Sequence, residues 1–142
     1  MLTKKGFTLV ELMAVIIIVV ILVAIAIPIM RSKVDSAKWS EGKAMIGTIV
    51  LALRVYATEK AENGNYGGNA PSLSQLGFID GDLDGKYFRQ SDDPTTYTWT
   101  TNYDFATNTF TFTVTIKKPP GISSPDSWSL DNTGQWSSVG GP

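Results

Sequence analysis

Nineteen consecutive residues near the start of the chain, Leu12 to Met30, carry no charge and are almost all apolar. This length is close to the roughly 20 residues that a helix needs to cross the hydrocarbon core of a membrane. The side chains would be apolar on every side of such a helix, so it requires apolar neighbours all round. The run therefore predicts a helix that lies in a lipid bilayer or in a bundle of similar helices.

The rest of the 142-residue chain is polar and rich in Gly, Thr, Ser and Asn. The formal net charge of −1 gives no reason to expect a nucleic-acid partner. The chain has no cysteine, which excludes a disulfide scaffold, and no histidine, the commonest general base and metal ligand. We therefore expect one small folded domain after the apolar segment, and no enzyme activity.

Two ordinary interpretations of the N-terminal segment explain only part of it. An ordinary secretory signal would use Lys4 and Lys5 as its basic region and Ala24-Ile25-Ala26 as its cleavage site, but its apolar stretch is typically only about 7 to 15 residues. A plain signal anchor explains the length but leaves Glu11 unexplained. A carboxylate in the middle of a membrane span costs on the order of 2 to 3 kcal/mol, so such a residue is a functional candidate.

The stretch Lys4-Lys5-Gly6-Phe7-Thr8-Leu9-Val10-Glu11-Leu12 resembles the class III signal peptide of type IV prepilins and type II secretion pseudopilins. In that family a short basic leader ends in Gly, prepilin peptidase cuts before a Phe, and the new N-terminal amine is methylated. The resemblance implies a cleaved leader at residues 1–6, cleavage between Gly6 and Phe7, and N-methylation of Phe7. Glu11 and Pro28 also stand where the family has its Glu and commonly a Pro.

The resemblance implies a structural subunit rather than an enzyme. Such a subunit waits in the inner membrane as a single-pass precursor with its leader in the cytoplasm. It then polymerises through its N-terminal helices, with residues 7–30 as transmembrane and filament-core helix, into an extracellular type IV pilus. Its partners would be copies of itself, prepilin peptidase and an assembly platform. A major pseudopilin of a type II secretion system and a membrane-anchored binding module are the alternatives.

Each of these N-terminal residues has a chemical reason to be there. Gly6 lacks a side chain, so a peptidase can approach the backbone closely. Cleavage would create a positive amine at Phe7 that pairs with Glu11 of a neighbouring copy, and such a pair would set the axial register of the helices. Pro28 lacks an N–H, so it either kinks the helix or simply marks the point where the chain leaves the membrane.

An amphipathic helix follows over residues 31–62, and together with the apolar segment it predicts one helix from about Phe7 to Glu62. Asn63-Gly64-Asn65 would end that helix, with Gly64 as a left-handed cap. The apolar positions recur at spacings of three and four: Val34, Ala37, Met45, Ile46, Ile49, Val50, Leu53 and Tyr56.

Residues 63–95 form a predicted connector, rich in Gly and Asp, with a short helical turn at Ser72 to Leu76. Within it, Asp80, Asp82 and Asp84 match the first half of a calcium-binding loop. The twelfth position of that loop is Ser91 instead of a bidentate Glu, so the main interpretation is an acidic surface turn. No other cofactor is predicted.

Alternation of large apolar and polar residues predicts antiparallel strands with one buried face over residues 96–138. Turns are expected at residues 104–108 and 131–134. The predicted fold is α+β: a protruding apolar helix leads into a head, residues 31–142, whose helical half packs on a small antiparallel sheet. The alternating positions are Tyr97, Trp99, Thr101, Tyr103, Phe110, Phe112, Val114, Ile116, Trp128, Leu130 and Trp136.

Overall fold

The computed structural model of the chain describes residues 6–62, 70–104, 107 and 109–140, with the backbone alone for Ala61 and Glu62. Helix α1 (Leu9–Glu62) is followed by strands β1 (Tyr97–Asp104), β2 (Thr109–Lys117), β3 (Ser127–Asp131) and β4 (Trp136–Val139). The chain divides into two compact units, Met1–Ser36 and Ala37–Pro142, here called the N-terminal unit and the head. The predicted α+β fold is confirmed.

The helix begins at Leu9, two residues later than the sequence predicts. The described helix extends to Glu62, and the cap predicted at Gly64 lies outside the described residues. Pro28 lies inside the helix, and the two interpretations of it stay predictions.

In the head, one face of helix α1 is buried against the sheet. The buried residues recur at spacings of three and four, which places them on one side of the helix. Val34 does not belong to this set, since its side chain lies in the N-terminal unit and is exposed. The buried helical residues are Trp39, Gly42, Ile46, Ile49, Val50 and Leu53.

The sheet is a four-stranded antiparallel meander in the order β1-β2-β3-β4. Its register places Trp99 opposite Val114 and Val114 opposite Leu130, so the large apolar residues share one face. This face and the buried side of α1 form the core, which confirms the alternation predicted for β1, β2 and β3. The prediction is wrong for Trp136, which is 40% exposed in a strand with no buried residue. The other face carries mainly hydroxyl side chains: Thr98, Thr100, Thr111, Thr113, Thr115, Ser129 and Ser137.

The connector contributes to the core through Leu83 and Phe88, which are buried. The predicted turn at Ser72 to Leu76 is present, with a hydrogen bond of 3.1 Å from the Leu76 amide to the Ser72 carbonyl. An isolated antiparallel bridge joins Asp84 to Arg89. The turn predicted after β3 is also present, since Gly134 has a positive φ and its amide donates to the Asp131 carbonyl.

Candidate cleavage and assembly site

Thr8 is the N-cap of helix α1. The Thr8 carbonyl accepts the hydrogen bond of the Leu12 amide at 3.2 Å, although Thr8 itself is not helical. An N-cap residue is defined by this combination: its carbonyl closes the first helical turn while its own backbone stays outside the helix. Gly6, Phe7 and Thr8 are thus the non-helical residues that lead into the helix.

Thr8 and Glu11 form a reciprocal capping box. The Thr8 amide donates to Oε2 of Glu11 at 2.9 Å, and the Glu11 amide donates to Oγ1 of Thr8 at 3.3 Å. The Thr8 hydroxyl also donates to Oε2 of Glu11, at 3.0 Å. Two amides that a helix start leaves without partners are thereby satisfied, and the carboxylate lies at the positive end of the helix dipole.

Thr8 is a residue for which no role was predicted from the sequence. The sequence does contain the pattern of a capping box, which is a Thr followed three residues later by a Glu, ahead of an apolar run. Glu11 was interpreted only through its predicted partner in a neighbouring subunit. In the single chain its carboxylate is hydrogen-bonded to Thr8.

The residues on either side of the predicted cleavage point are open to solvent. A Cβ added to Gly6 would meet no atom within 4 Å, so no contact among the described residues requires glycine there. The Phe7 side chain is 81% exposed. A glycine that the chain's own packing does not need is consistent with a requirement imposed by another molecule.

No described part of the chain covers the apolar helix that follows. Its large hydrophobic side chains between Leu9 and Met30 are at least 47% exposed. By length and composition this part of α1 is apolar enough to cross a membrane. Exposed apolar surface of this extent marks contact with lipid or with another protein. Glu11 is the one charged residue between Gly6 and Met30.

Pro28 interrupts the hydrogen bonds of this helix, because it has no amide to donate to the carbonyl of Ala24. Two serines follow within the next turns of the helix. The Ser32 hydroxyl donates to the Ile29 carbonyl and the Ser36 hydroxyl to the Ser32 carbonyl, both at 2.9 Å. Such bonds from a side chain to the backbone of the preceding turn are associated with bent helices.

The three carboxylates of the predicted half calcium loop, those of Asp80, Asp82 and Asp84, have different surroundings in the structure. Oδ2 of Asp82 accepts the Ile79 amide at 2.9 Å, and Oδ1 of Asp84 accepts the Ser91 amide at 3.0 Å. Asp80 lines an open cleft of about 850 Å³ instead. Within the described parts of the chain, no group of three or more Asp, Glu, His or Cys side chains is placed to hold a metal ion.

The uncovered apolar helix, the Gly6–Phe7 junction and the small α+β head are similar to those of type IV pilins and pseudopilins, and the N-terminal motif supports a protein of that kind. Residues 1–27 match the family model of the prokaryotic N-terminal methylation motif, which is the class III signal peptide of these proteins. No curated protein and no solved structure matches the chain. The motif implies processing by prepilin peptidase and assembly by a pilus or secretion system, and it fits a precursor anchored in the inner membrane.

Proposed function

We propose that this chain is the structural subunit of an extracellular type IV pilus, matured by cleavage after Gly6 and N-methylation of Phe7. The observation that carries the proposal is the helical stretch from Leu12 to Met30, which is apolar all round and uncovered among the described residues, together with the match of residues 1–27 to the methylation motif. In the precursor, lipid covers this helix. In the filament, the same helices of other subunits replace the lipid, so assembly exposes little apolar surface to water.

Cleavage creates the charge that directs assembly. The new amine of Phe7 is positive and is attracted to the carboxylate of Glu11 in an adjacent subunit, since both lie in a low-dielectric bundle of apolar helices. Desolvation offsets much of this attraction, so the pair contributes less to total stability than to the choice of register. A shifted register would leave the carboxylate unpaired among apolar side chains, which is unfavourable.

Electron microscopy of filaments sheared from cells tests the proposal, together with mass spectrometry of their subunits. We expect filaments made of this chain, each subunit starting at Phe7 and carrying one added methyl group. The Glu11→Ala variant should insert into the membrane and be fully cut within the growth time of a culture, but it should remain largely unassembled. Glu59→Ala, which removes a carboxylate from an exposed position of the same helix, is the matched control and should assemble. Normal filaments from Glu11→Ala would contradict the register role.

Deletion of the gene, together with the same microscopy, separates the alternatives. A major pseudopilin of a type II secretion system would carry the same processed N-terminus, but deleting its gene would abolish secretion of exoproteins and leave surface pili intact. A membrane-anchored binding module would occur in no filament and would tolerate Glu11→Ala. Neighbouring genes add an independent criterion, since a retraction ATPase accompanies pili and a full secretion operon accompanies pseudopili.

A further inference from the structure

We propose that Thr8 is a positioning residue for cleavage: its capping box with Glu11 fixes the helix start so that the Gly6–Phe7 peptide bond stays outside the helix. This inference rests on the proposed function, because it concerns the same cleavage by prepilin peptidase. Neither residue needs to touch the peptidase for this role. The box acts on the conformation of the substrate.

The hydrogen bonds show which helix the box prevents. In a helix extended toward the N-terminus, the Glu11 amide would donate to the carbonyl of Phe7, four residues before it. In the structure that amide donates to the Thr8 hydroxyl instead, at 3.3 Å. The Thr8 amide, which an extended helix would also use, is held by the Glu11 carboxylate at 2.9 Å. The box therefore satisfies the donors that would otherwise draw Gly6 and Phe7 into the helix.

The apolar surroundings decide what happens when the capping box is lost: whether the helix end frays or the helix extends over Gly6 and Phe7. In water, uncapped amides at a helix start are hydrated, so losing a cap lets the end fray. Toward the hydrocarbon core of a membrane water becomes scarce, so an unsatisfied amide there costs more. Without the box, the helix then extends over Phe7 and Gly6, because their carbonyls can accept the hydrogen bonds of the uncapped amides. The N–H and C=O groups of a scissile peptide bond inside a helix are engaged in helical hydrogen bonds. In an extended segment the same groups are free to bind another protein.

The Glu11 side chain would thus do two separable things. Its oxygen accepts hydrogen bonds in the capping box, which a neutral Gln at the same position also does. Its charge is needed for the proposed pairing with the Phe7 amine of another copy, which Gln does not provide. Thr8 takes part in the first task alone, through its hydroxyl.

The test measures initial rates of cleavage of the full-length precursor in detergent micelles by purified prepilin peptidase, with the Gly6–Phe7 cut followed by mass spectrometry. Thr8→Val keeps the shape of the side chain and removes the hydroxyl. We expect KM to rise about five-fold, the population shift that loss of an N-cap typically produces, with kcat unchanged. Thr8→Ser and Glu11→Gln should restore the rates lost in Thr8→Val and Glu11→Ala.

Thr48→Val is the matched control, since it removes a hydroxyl from the same helix where that hydroxyl donates to the Ala44 carbonyl. It should be cut at the wild-type rate. The ¹³C chemical shifts of Gly6 and Phe7 in the uncut precursor give a second readout, and they should move toward helical values in Thr8→Val.

Three results would overturn the inference: wild-type cleavage of Thr8→Val, failure of Thr8→Ser to restore it, or a fall in kcat at constant KM, which would indicate direct contact with the peptidase. Unchanged chemical shifts in Thr8→Val would also overturn it. If the wild-type precursor itself is not cut after Gly6, the proposed function fails and takes this inference with it. If the wild type is cut and Thr8→Val is cut equally well, only the inference fails.

Discussion

The carboxylate of Glu41 lies directly against the backbone of Gly85, so that a side chain at residue 85 would occupy the space of that carboxylate. Oε1 of Glu41 accepts the backbone amides of Tyr87 at 2.7 Å and Phe88 at 3.0 Å. Glu41 belongs to helix α1, whereas the amides belong to the connector. One side chain therefore holds the connector to the helix, and the missing side chain of Gly85 makes room for it.

Gly85→Ala should destabilise the head by about 2 kcal/mol. The added Cβ collides with the Glu41 carboxylate, and the flexible side chain can move away only by giving up its hydrogen bonds to the connector. Hydrogen bonds to a charged group contribute about 1.5 to 3 kcal/mol. The free energy of unfolding, measured by urea denaturation of the full chain in detergent micelles, checks this.

Glu41→Ala provides the control for Gly85→Ala. With the carboxylate absent, the added methyl group has nothing to displace, so Gly85→Ala in the Glu41→Ala background should cost only a few tenths of a kcal/mol. Such a double-mutant cycle isolates the interaction of the two residues. Equal losses in both backgrounds would show that residue 85 acts through some other contact.

The stability of the head should fall in acid, and Glu41 should account for part of the fall. Desolvation acts to raise the pKa of Glu41, but the backbone amides of Phe88, Tyr87 and Lys86 together outweigh it and hold the pKa below its ordinary value of 4.5. Since the folded-state pKa is the lower one, the stabilisation is complete above about pH 4.5 and is lost as the pH falls through the folded-state value.

The measurement is the urea midpoint of the full chain at pH 7, 5 and 3, compared with Glu41→Gln. The neutral amide keeps the shape of the side chain and does not titrate, so the variant should lose less stability between pH 5 and pH 3. Some acid sensitivity should remain, because hydrogen bonds also lower the pKa of Asp84, Asp93 and Asp131. Identical pH profiles would rule out a contribution from Glu41.

Two glycines of helix α1 should respond oppositely to substitution by alanine. A Cβ on Gly42 would lie 2.7 Å from Cδ1 of Ile116 and 2.9 Å from Cζ of Phe88, both in the fully buried core. Overpacking of this kind costs about 1 to 3 kcal/mol and outweighs the helix propensity of alanine, which is about 1 kcal/mol better than glycine. We therefore expect Gly42→Ala to lower the thermal midpoint of the unassembled subunit.

Gly47→Ala is the matched variant, because a Cβ at this position meets no atom within 4 Å. Only the propensity term then remains, so the unassembled subunit should gain about 0.5 to 1 kcal/mol. Circular dichroism during heating in micelles distinguishes the two variants. A loss of stability in Gly47→Ala, or a gain in Gly42→Ala, would contradict the packing described for this face of the helix.

Tyr97→Phe should leave the stability of the head unchanged or raise it by about 1 kcal/mol. Tyr97 is 2% exposed, and its hydroxyl has no hydrogen-bond partner among the described residues. Burial of an unpaired hydroxyl is unfavourable, so its removal costs nothing. Burial raises the pKa of Tyr97, and the nearby charges of Glu41 and Asp84 raise it further.

Tyr97→Leu serves as the comparison for this variant, since it also removes ring atoms from the core and should cost several kcal/mol. Urea denaturation of both variants separates the contribution of the ring from that of the hydroxyl. A loss of more than about 1 kcal/mol in Tyr97→Phe would mean that the hydroxyl is hydrogen-bonded in solution.

The parts of the fold that follow from local patterns were predictable from the sequence. The apolar run gives the first half of the helix, and alternation around Val114 and Ile116 gives the strands with their buried face, because both signals come from residues close together in the chain. The helix start was placed two residues early because the capping pattern of Thr8 and Glu11 was not used. The hydroxyl of Thr8 supplies an acceptor that ends the helix there.

Contacts between distant parts of the chain could not be predicted. Glu41 and Phe88 are separated by 47 positions, and no periodicity connects a helix to the turn of a connector. Trp39 was missed as a core residue for the same reason, since its indole N–H donates to the Ser124 carbonyl 85 positions away. Local patterns did better with Asp82, which lies in a turn as predicted and accepts a backbone amide. Asp84 also accepts a backbone amide, but it lies in the bridge to Arg89 instead of a turn.

Every strand of the head pairs with the strand directly before or after it in the chain. Such hairpins close short loops, which costs little chain entropy, and sheets built from local pairings form faster than those that join distant strands. The sheet can therefore grow hairpin by hairpin. Unpaired edges of the inner strands β2 and β3, which invite aggregation while a chain is still folding, then exist only briefly, whereas β1 and β4 stay at the edges of the sheet.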